Sequence, residues 1–145
     1  MNNDVAARLL GQRLILRTDG GARGNPGPAA AGAVIETEDG VVLAKYKRYL
    51  GILSNNQAEY QALILGLRAI ALWQPAAVQV RMDSELIVKQ MNGEYRVKAP
   101  HLLPLYTETR QLVTVLPQVS FLHVPRAQNH LADALANEAM DEQQQ

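Results

Sequence analysis

The spacing of apolar and polar positions changes several times along the chain, and each spacing predicts a helix or a strand. The apolar run at residues 14–16 predicts a first strand that ends at Asp19. Residues 29–36 and 41–50 are predicted to pair as strands around the turn signal Glu38-Asp39-Gly40. The first third of the chain therefore predicts three strands in an antiparallel meander.

Helical and strand patterns alternate in the rest of the chain. Residues 56–73 have helical periodicity and stop before Pro75, and residues 78–82 alternate as a half-buried strand that ends at Asp83. Beyond them we predict one more strand and three helices, at 119–124 and at 84–92, 105–116 and 129–140. Strands separated by helices run parallel to one another. The prediction is an α/β fold with a mixed five-stranded sheet, three antiparallel strands and then two parallel, flanked by helices.

One domain accounts for the 145 residues of the chain. The sequence has no internal repeat and no linker composition. We expect an N-terminal extension over 1–12, a single domain over 13–141 and a polar tail over 142–145 that frays.

Composition narrows the chemistry that the chain can perform. The sequence has no cysteine, which excludes disulfides, thiolate metal sites and thiol nucleophiles. Any metal must therefore be bound by carboxylates or by the three histidines. The sequence also lacks a long apolar run and the pattern of a secretory signal, so we expect a cytoplasmic protein without membrane contact. We also expect a monomer.

The formal net charge is zero, which argues mildly against a nucleic-acid partner because phosphate contacts usually need a basic excess. The charges are unevenly spread, however. Lys45, Lys47 and Arg48 form one basic cluster, and Arg96 and Lys98 form another. Without the acidic C-terminal residues, the rest of the chain is slightly basic.

Four acids lie at the ends or first turns of predicted elements. Asp19 and Asp83 each end a strand, and parallel neighbouring strands bring such residues to the same sheet edge. Glu59 lies early in its helix, on an apolar stripe that is expected to face the sheet. Asp133 lies early in the last helix, in line with apolar positions.

Acids on inward faces need partners, and no lysine or arginine shares these stripes. Crowded carboxylates repel and raise one another's pKa, and hard cations such as Mg²⁺ relieve both effects because they favour oxygen ligands. Each acid also has an ordinary explanation. It is a turn for Asp19, the helix dipole for Glu59, a helix cap for Asp83 and a surface position for Asp133. Spacing alone leaves open whether the four converge.

Four segments carry a family resemblance: TDGGARGNPGPAAAG, SNNQAEYQALILGL, MDSELIVKQMNG and NHLADALANEAM. With them the sequence resembles type 1 ribonuclease H, in the forms without a basic protrusion that occur in archaea and some bacteria. The resemblance implies the ribonuclease H fold and an endonuclease that cuts the RNA strand of RNA–DNA hybrids, leaving 5′-phosphate and 3′-hydroxyl ends. It implies that two Mg²⁺ ions, with Mn²⁺ as a substitute, are bound by Asp19, Glu59, Asp83 and Asp133.

The resemblance also implies a set of substrate contacts. They are loop glycines and asparagines at matching positions: Gly20, Gly21, Asn25, Asn55, Asn56 and Asn129. Glycines permit close backbone approach, and amide side chains suit 2′-hydroxyls and base edges. Their ordinary roles are turn formation for the glycines and Asn25, and helix capping for Asn55 or Asn56.

Two departures from the family pattern change the expectations. Many members carry a loop histidine before the last helix, where this sequence has VPRAQNH, so we expect Arg126 or nothing in its place, with His130 as an alternative. The basic protrusion is replaced by the short segment GEYRVKAPHLLPL, which agrees with the zero net charge. We therefore expect weaker hybrid affinity that relies on Arg96, Lys98 and the basic cluster at 45–48.

Three other interpretations remain at this point. A different nuclease on the same fold is disfavoured by the intact TDGG, GNPGP and SNNQAEY segments, and a non-catalytic hybrid-binding module by the retention of four acids. The chain could also be a ribonuclease H domain detached from a reverse transcriptase or another larger protein. Activity on double-stranded RNA is a further expectation that the sequence leaves open.

Overall fold

A mixed five-stranded sheet organises the protein in a computed structural model, which describes residues 11–144. The strands are β1 (Arg13–Ala22), β2 (Gly27–Thr37), β3 (Val42–Leu53), β4 (Ala77–Met82) and β5 (Val119–His123). They lie in the order β3-β2-β1-β4-β5. Strands β1 to β3 pair antiparallel, while β4 pairs parallel with both β1 and β5. The predicted mixed sheet is confirmed.

Within residues 11–144, four helices accompany the sheet. They are α1 (Asn55–Ala71), α2 (Glu85–Met91), α3 (Leu103–Thr114) and α4 (His130–Gln143). A short 3₁₀ turn, Arg126–Asn129, precedes α4 and is called the 126–129 turn below. Among residues 11–144, none of the helices combines the length and the apolar character that a membrane span requires.

The ends of all four helices depart from the predicted positions by one to three residues, and α1 and α4 show why. Helix α1 begins at Asn55 because Ser54 caps it: the Ser54 hydroxyl accepts from the N–H of Gln57, whose side chain accepts from the N–H of Ser54. The cap is therefore neither Asn55 nor Asn56. Helix α4 continues through residues 142 and 143, which the sequence pattern assigned to a fraying tail. Residues 1–10 of the expected N-terminal extension, and residue 145, lie outside the described residues.

The two faces of the sheet pack against different helices. Helices α1, α2 and α3 cover one face, and their apolar side chains join those of Leu14 and Leu16 in the main core. Helix α4 covers the other face, where it packs on β2 through a smaller cluster: Ala30, Ala136, Ala139 and Met140. A Cβ on Gly32 of β2 would lie 2.2 Å from the carbonyl oxygen of Ala132, so α4 can approach this closely only over a glycine.

Candidate active site

Parallel pairing of β1 and β4 brings two predicted acids together at one edge of the sheet. The last paired residues of the two strands are Arg17 and Arg81. Asp19 and Asp83 follow them, each two positions later in the sequence. Glu59 reaches the same edge from the first turns of α1. Carboxylate oxygens of the three acids lie within 4.8 Å of one another, and we call this group the acid cluster. The predicted convergence therefore holds for these three residues.

A close contact between the end of β1 and the start of α1 positions Glu59. The backbone N–H of Gly20 donates to Oε1 of Glu59 across 2.5 Å. A Cβ on Gly20 would lie 2.0 Å from the carbonyl oxygen of Ala58, so a larger residue would push α1 away from β1. The predicted stripe of Glu59 faces the sheet and is buried, at Leu63, Gly66 and Ile70.

The carboxylate of Asp83 is oriented by a buried amide. Of the pair Asp83-Ser84, which the sequence offered as a helix cap, Ser84 caps α2 by accepting from the N–H of Ile87, and the carboxylate of Asp83 is not used for capping. The Nδ2 group of Asn129 donates to Oδ1 of Asp83 at 3.0 Å and to the carbonyl oxygen of Thr18 at 2.8 Å. Asn129 is 1% exposed, so its side chain is in contact with Asp83 below the surface, and the substrate contact that the family resemblance implied for it stays a prediction.

Asp133 lies beside the acid cluster rather than within it. Its side chain is 33% exposed, and Nη2 of Arg126 lies 3.7 Å from its Oδ1. A hydrogen bond between Asp133 and Asp19 is one of the contacts that raise the pKa of Asp19. The fourth predicted acid therefore faces the cluster from the solvent side, in a cavity of about 300 Å³ that Asp19 also lines.

Two carboxyls of the acid cluster, those of Asp19 and Glu59, have raised pKa values in the absence of a cation. Burial, followed by the negative charges of Glu59 and Asp83, raises the pKa of Asp19 well above its ordinary value. Burial also raises the pKa of Glu59 to about 7, against the hydrogen bonds that it forms with Asp19 and Gly20. Oε2 of Glu59 is buried and has no hydrogen-bond partner within residues 11–144. Such a set of crowded oxygens, one of them unsatisfied, is the donor set that a hard divalent cation requires.

The end of β1 and the start of α1 form one wall of the cavity, which is lined there by Gly20, Gly21 and Asn55. Oδ1 of Asn25 accepts from the N–H of Asn55 at 3.0 Å, and Oδ1 of Asn55 accepts from the N–H of Ala22 at 2.9 Å. Both amide oxygens therefore shape the loop. Within the described residues no hydrogen bond engages the amide nitrogens of Asn25 and Asn55, so these groups are free to meet a ligand.

Arg126 and His130, the two candidates for the place of the loop histidine, lie in different surroundings. Arg126 is 79% exposed and lines the cavity of the acids. His130 lines a separate, smaller cavity beside Arg17 and Gln128. The geometry therefore favours Arg126.

The two predicted basic clusters lie in different surroundings in the structure. Arg96 and Lys98 are exposed and line a groove with Tyr95, away from the cavity of the acids. Lys47, in contrast, forms ion pairs with Glu138 and Glu142 of α4, chiefly the latter, and these contacts raise its pKa. Lys47 is thus already paired within the protein.

Arg23 is a cavity residue that the sequence pattern did not single out. It lies in the loop after β1, and its Nη2 is 2.7 Å from Oδ1 of Asp141 near the end of α4. Its place within the segment GARGNPG was the available signal. Periodicity gave no sign of its partner, because the contact joins residues 118 positions apart in sequence.

Comparisons with known proteins agree with this geometry. A family model described as reverse transcriptase-like matches residues 17–139. The structure of RNase H1 from Halobacterium salinarum is 44% identical, with a TM-score of 0.87 and coverage of 90% of this chain and 98% of that chain. LC11-RNase H1, isolated from compost and solved in complex with an RNA/DNA hybrid, is 44% identical, with a TM-score of 0.88 and coverage of 91% and 99%.

A mycobacterial relative is longer than this chain. The bifunctional protein Rv2228c of Mycobacterium tuberculosis is 45% identical over 130 residues, which are 89% of this chain and 36% of that protein. The structure of its N-terminal RNase H domain superposes with a TM-score of 0.87, over 91% of this chain and 96% of that chain. This chain therefore spans about a third of the relative's length. The fold, the acid cluster and these similarities define a ribonuclease H-like domain, and the chain belongs to the ribonuclease H family.

Proposed function

We propose that the chain is a type 1 ribonuclease H, a cation-dependent endonuclease that hydrolyses the RNA strand of RNA–DNA hybrids to 5′-phosphate and 3′-hydroxyl ends. The observation that carries this proposal is the acid cluster, with three carboxylate oxygens within 4.8 Å beside an open cavity. The substrate is supported by LC11-RNase H1, which has the same fold and was solved with an RNA/DNA hybrid.

The cations would be held by Asp19, Glu59, Asp83 and Asp133. We infer two Mg²⁺ ions, with Mn²⁺ as a substitute, because both prefer carboxylate oxygens. When bound, such ions supply positive charge at a phosphodiester and help to activate a water. The residues contribute fixed oxygens: the N–H of Gly20 orients Glu59, and the amide of Asn129 orients Asp83.

Recognition of the hybrid would use the end of β1, the loop after it and the start of α1. Gly20 lines the cavity with its backbone and Gly21 has open space where a Cβ would lie, so a sugar-phosphate backbone can approach closely. The amide nitrogens of Asn25 and Asn55, and the partly exposed Asn56, suit acceptor atoms in the minor groove. A 2′-hydroxyl at this place would select the RNA strand.

Phosphate contacts outside the cavity would come from Arg126 at its rim and from Arg96 and Lys98 along the second groove. Lys47 contributes less because α4 already neutralises it. Three finer expectations from the sequence stay proposals: activity on double-stranded RNA, a monomeric state and a cytoplasmic location.

A substrate panel tests the proposed function. The protein is incubated with an RNA–DNA hybrid, duplex RNA and duplex DNA of one sequence, each with Mg²⁺, with Mn²⁺ and with excess chelator. We expect cleavage of the hybrid in either metal, none of duplex DNA, and none in chelator. Hybrid cleavage that persists in chelator, or equal cleavage of duplex DNA, would contradict the proposal.

A further inference from the structure

A largely buried ion pair lies on the α4 side of the sheet, close to where the acid cluster begins. Nε of Arg17 lies 3.1 Å and 3.2 Å from the two carboxylate oxygens of Glu36. The side chains are only 15% and 9% exposed. Val34 pairs with Arg17 across the sheet, so Glu36 is its diagonal neighbour on the same face. Burying such a pair is costly unless further hydrogen bonds satisfy the guanidinium.

The guanidinium of Arg17 also holds the 126–129 turn. Its Nη1 donates to the carbonyl oxygen of Gln128 at 2.8 Å. The next residue of the turn, Asn129, donates to the carbonyl oxygen of Thr18 at 2.8 Å. Consecutive residues of β1 therefore bind consecutive residues of the turn. No side-chain cap secures the start of this short turn, so these two bonds fix its last residues.

Neighbouring charges explain why Arg17 depends on Glu36. Arg81 lies opposite Arg17 on the parallel strand β4, and like charges at such positions repel. Without Glu36, the guanidinium of Arg17 would lie beside the charge of Arg81 with no carboxylate partner.

Asn129 connects the 126–129 turn to the acid cluster. The same Nδ2 group that donates to Thr18 also donates to Oδ1 of Asp83 at 3.0 Å. A shift of Gln128 would carry the adjacent Asn129 with it, and the carboxylate of Asp83 would lose its fixed orientation. Outer partners of ligating carboxylates act on metal affinity in this way.

We propose that Arg17, clamped by Glu36, is a positioning residue that fixes the 126–129 turn and thereby holds Asp83 in the orientation for cation binding. The inference rests on the proposed function for its effects on Mn²⁺ affinity and on kinetics, but not for the position of the turn. Arg17 touches neither the acid cluster nor the cavity of the acids, and no periodicity in the sequence marked it.

The test compares Arg17→Met and Glu36→Gln with the matched control Arg81→Met, an arginine on the same face without a bond to the turn. Three quantities are measured: the dissociation constant for Mn²⁺ by calorimetry on the free protein, kcat and KM on an RNA–DNA hybrid, and proton exchange of the Asn129 side-chain amide by NMR. We expect both test variants to bind Mn²⁺ about three- to tenfold more weakly, with kcat reduced, KM nearly unchanged and Asn129 exchange accelerated. Arg81→Met is expected to leave all three at wild-type values.

Wild-type Mn²⁺ affinity and wild-type Asn129 exchange in Glu36→Gln would overturn the proposal, whatever the variant's stability. That variant conserves shape and keeps Arg17, so it remains informative if Arg17→Met fails to fold. Failure of the proposed function has a different signature. In that case the wild-type protein leaves the hybrid intact, while the Asn129 readout still reports whether Arg17 positions the turn.

Discussion

The backbone N–H of Gly20 donates a 2.5 Å hydrogen bond to Oε1 of Glu59, and this contact joins strand β1 to helix α1 at the acid cluster. The contact exists because Gly20 has no side chain: an added Cβ would lie 2.0 Å from the carbonyl oxygen of Ala58. The geometry of the cluster therefore depends on the size of one residue.

Substitution of Gly20 by alanine should separate α1 from β1. We expect Gly20→Ala to lower the free energy of unfolding by about 1–3 kcal/mol, as overpacked cores do, and to weaken cation binding as Glu59 moves. Urea unfolding and calorimetric titration with Mn²⁺ measure the two effects. Gly21→Ala is the matched control, since a Cβ there meets nothing within 4 Å. Equal stability of the two variants would contradict the close-packing argument.

The raised pKa values of Asp19 and Glu59 predict an unusual pH dependence of stability without metal. Their contribution to stability is fully present below about pH 4, where both states bind the protons, and is lost as pH rises through the higher folded-state values. We expect the free energy of unfolding of the metal-free protein to fall by about 1–3 kcal/mol between pH 5 and pH 8.

The control for this pH dependence is Asp19→Asn, which removes the most perturbed carboxyl. We expect the variant to flatten the pH profile and to stabilise the metal-free protein at pH 8. Saturating Mg²⁺ should also reverse the fall in the wild type, since cation binding displaces the protons. A wild-type stability that rises from pH 5 to pH 8 in chelator would refute the assignment.

The position of Arg126 predicts a kinetic role that His130 lacks. Arg126 lines the cavity and lies 3.7 Å from Asp133, whereas His130 lines another cavity. We expect Arg126→Ala to lower kcat on a hybrid by about 10–100-fold, and His130→Ala to change it less than about twofold. Steady-state kinetics on one substrate decide between them. Unchanged turnover in Arg126→Ala would rule this arginine out.

Because Lys47 is paired within the protein, we can predict which basic side chains contact phosphate. Arg96→Ala and Lys98→Ala should each reduce the slope of log affinity against log salt by about one, because each removes a phosphate contact. Lys47→Ala should leave the slope nearly unchanged, since Glu138 and Glu142 already bind this lysine. Binding is measured in Ca²⁺, which minimises cleavage. A larger effect from Lys47 than from Lys98 would contradict the assignment.

The sheet, its mixed topology and the positions of the acids on their strands and helices could be predicted from the sequence, because they depend on local signals. Alternation marked β4, helical phase placed Glu59 inward, and the family segments brought Asp19 and Asp83 together. The cap of α1 was harder to place, because Ser54 competes with the adjacent asparagines for the same role. The ends of elements were the weakest predictions.

Contacts between distant segments could not be predicted from the sequence. Asn129 resembled a substrate ligand by its motif, but the packing of the 126–129 turn on β1 buries it. Lys47 resembled a free cation by composition, yet α4 extends far enough to pair with it. The ion pair between Arg17 and Glu36 joins two strands, and the alternation of apolar and polar positions does not show which residues on neighbouring strands meet.

Strand-specific cleavage in a cation titration tests the central claim most directly. A hybrid labelled separately on its RNA and DNA strands is incubated with wild-type protein and with Asp19→Asn, over a range of Mg²⁺ concentrations. We predict that the wild type cuts only the RNA strand, at a rate that saturates with Mg²⁺, and that Asp19→Asn is inactive at every concentration. Cleavage of the DNA strand, or wild-type rates in Asp19→Asn, would show that the acid cluster does not perform this reaction.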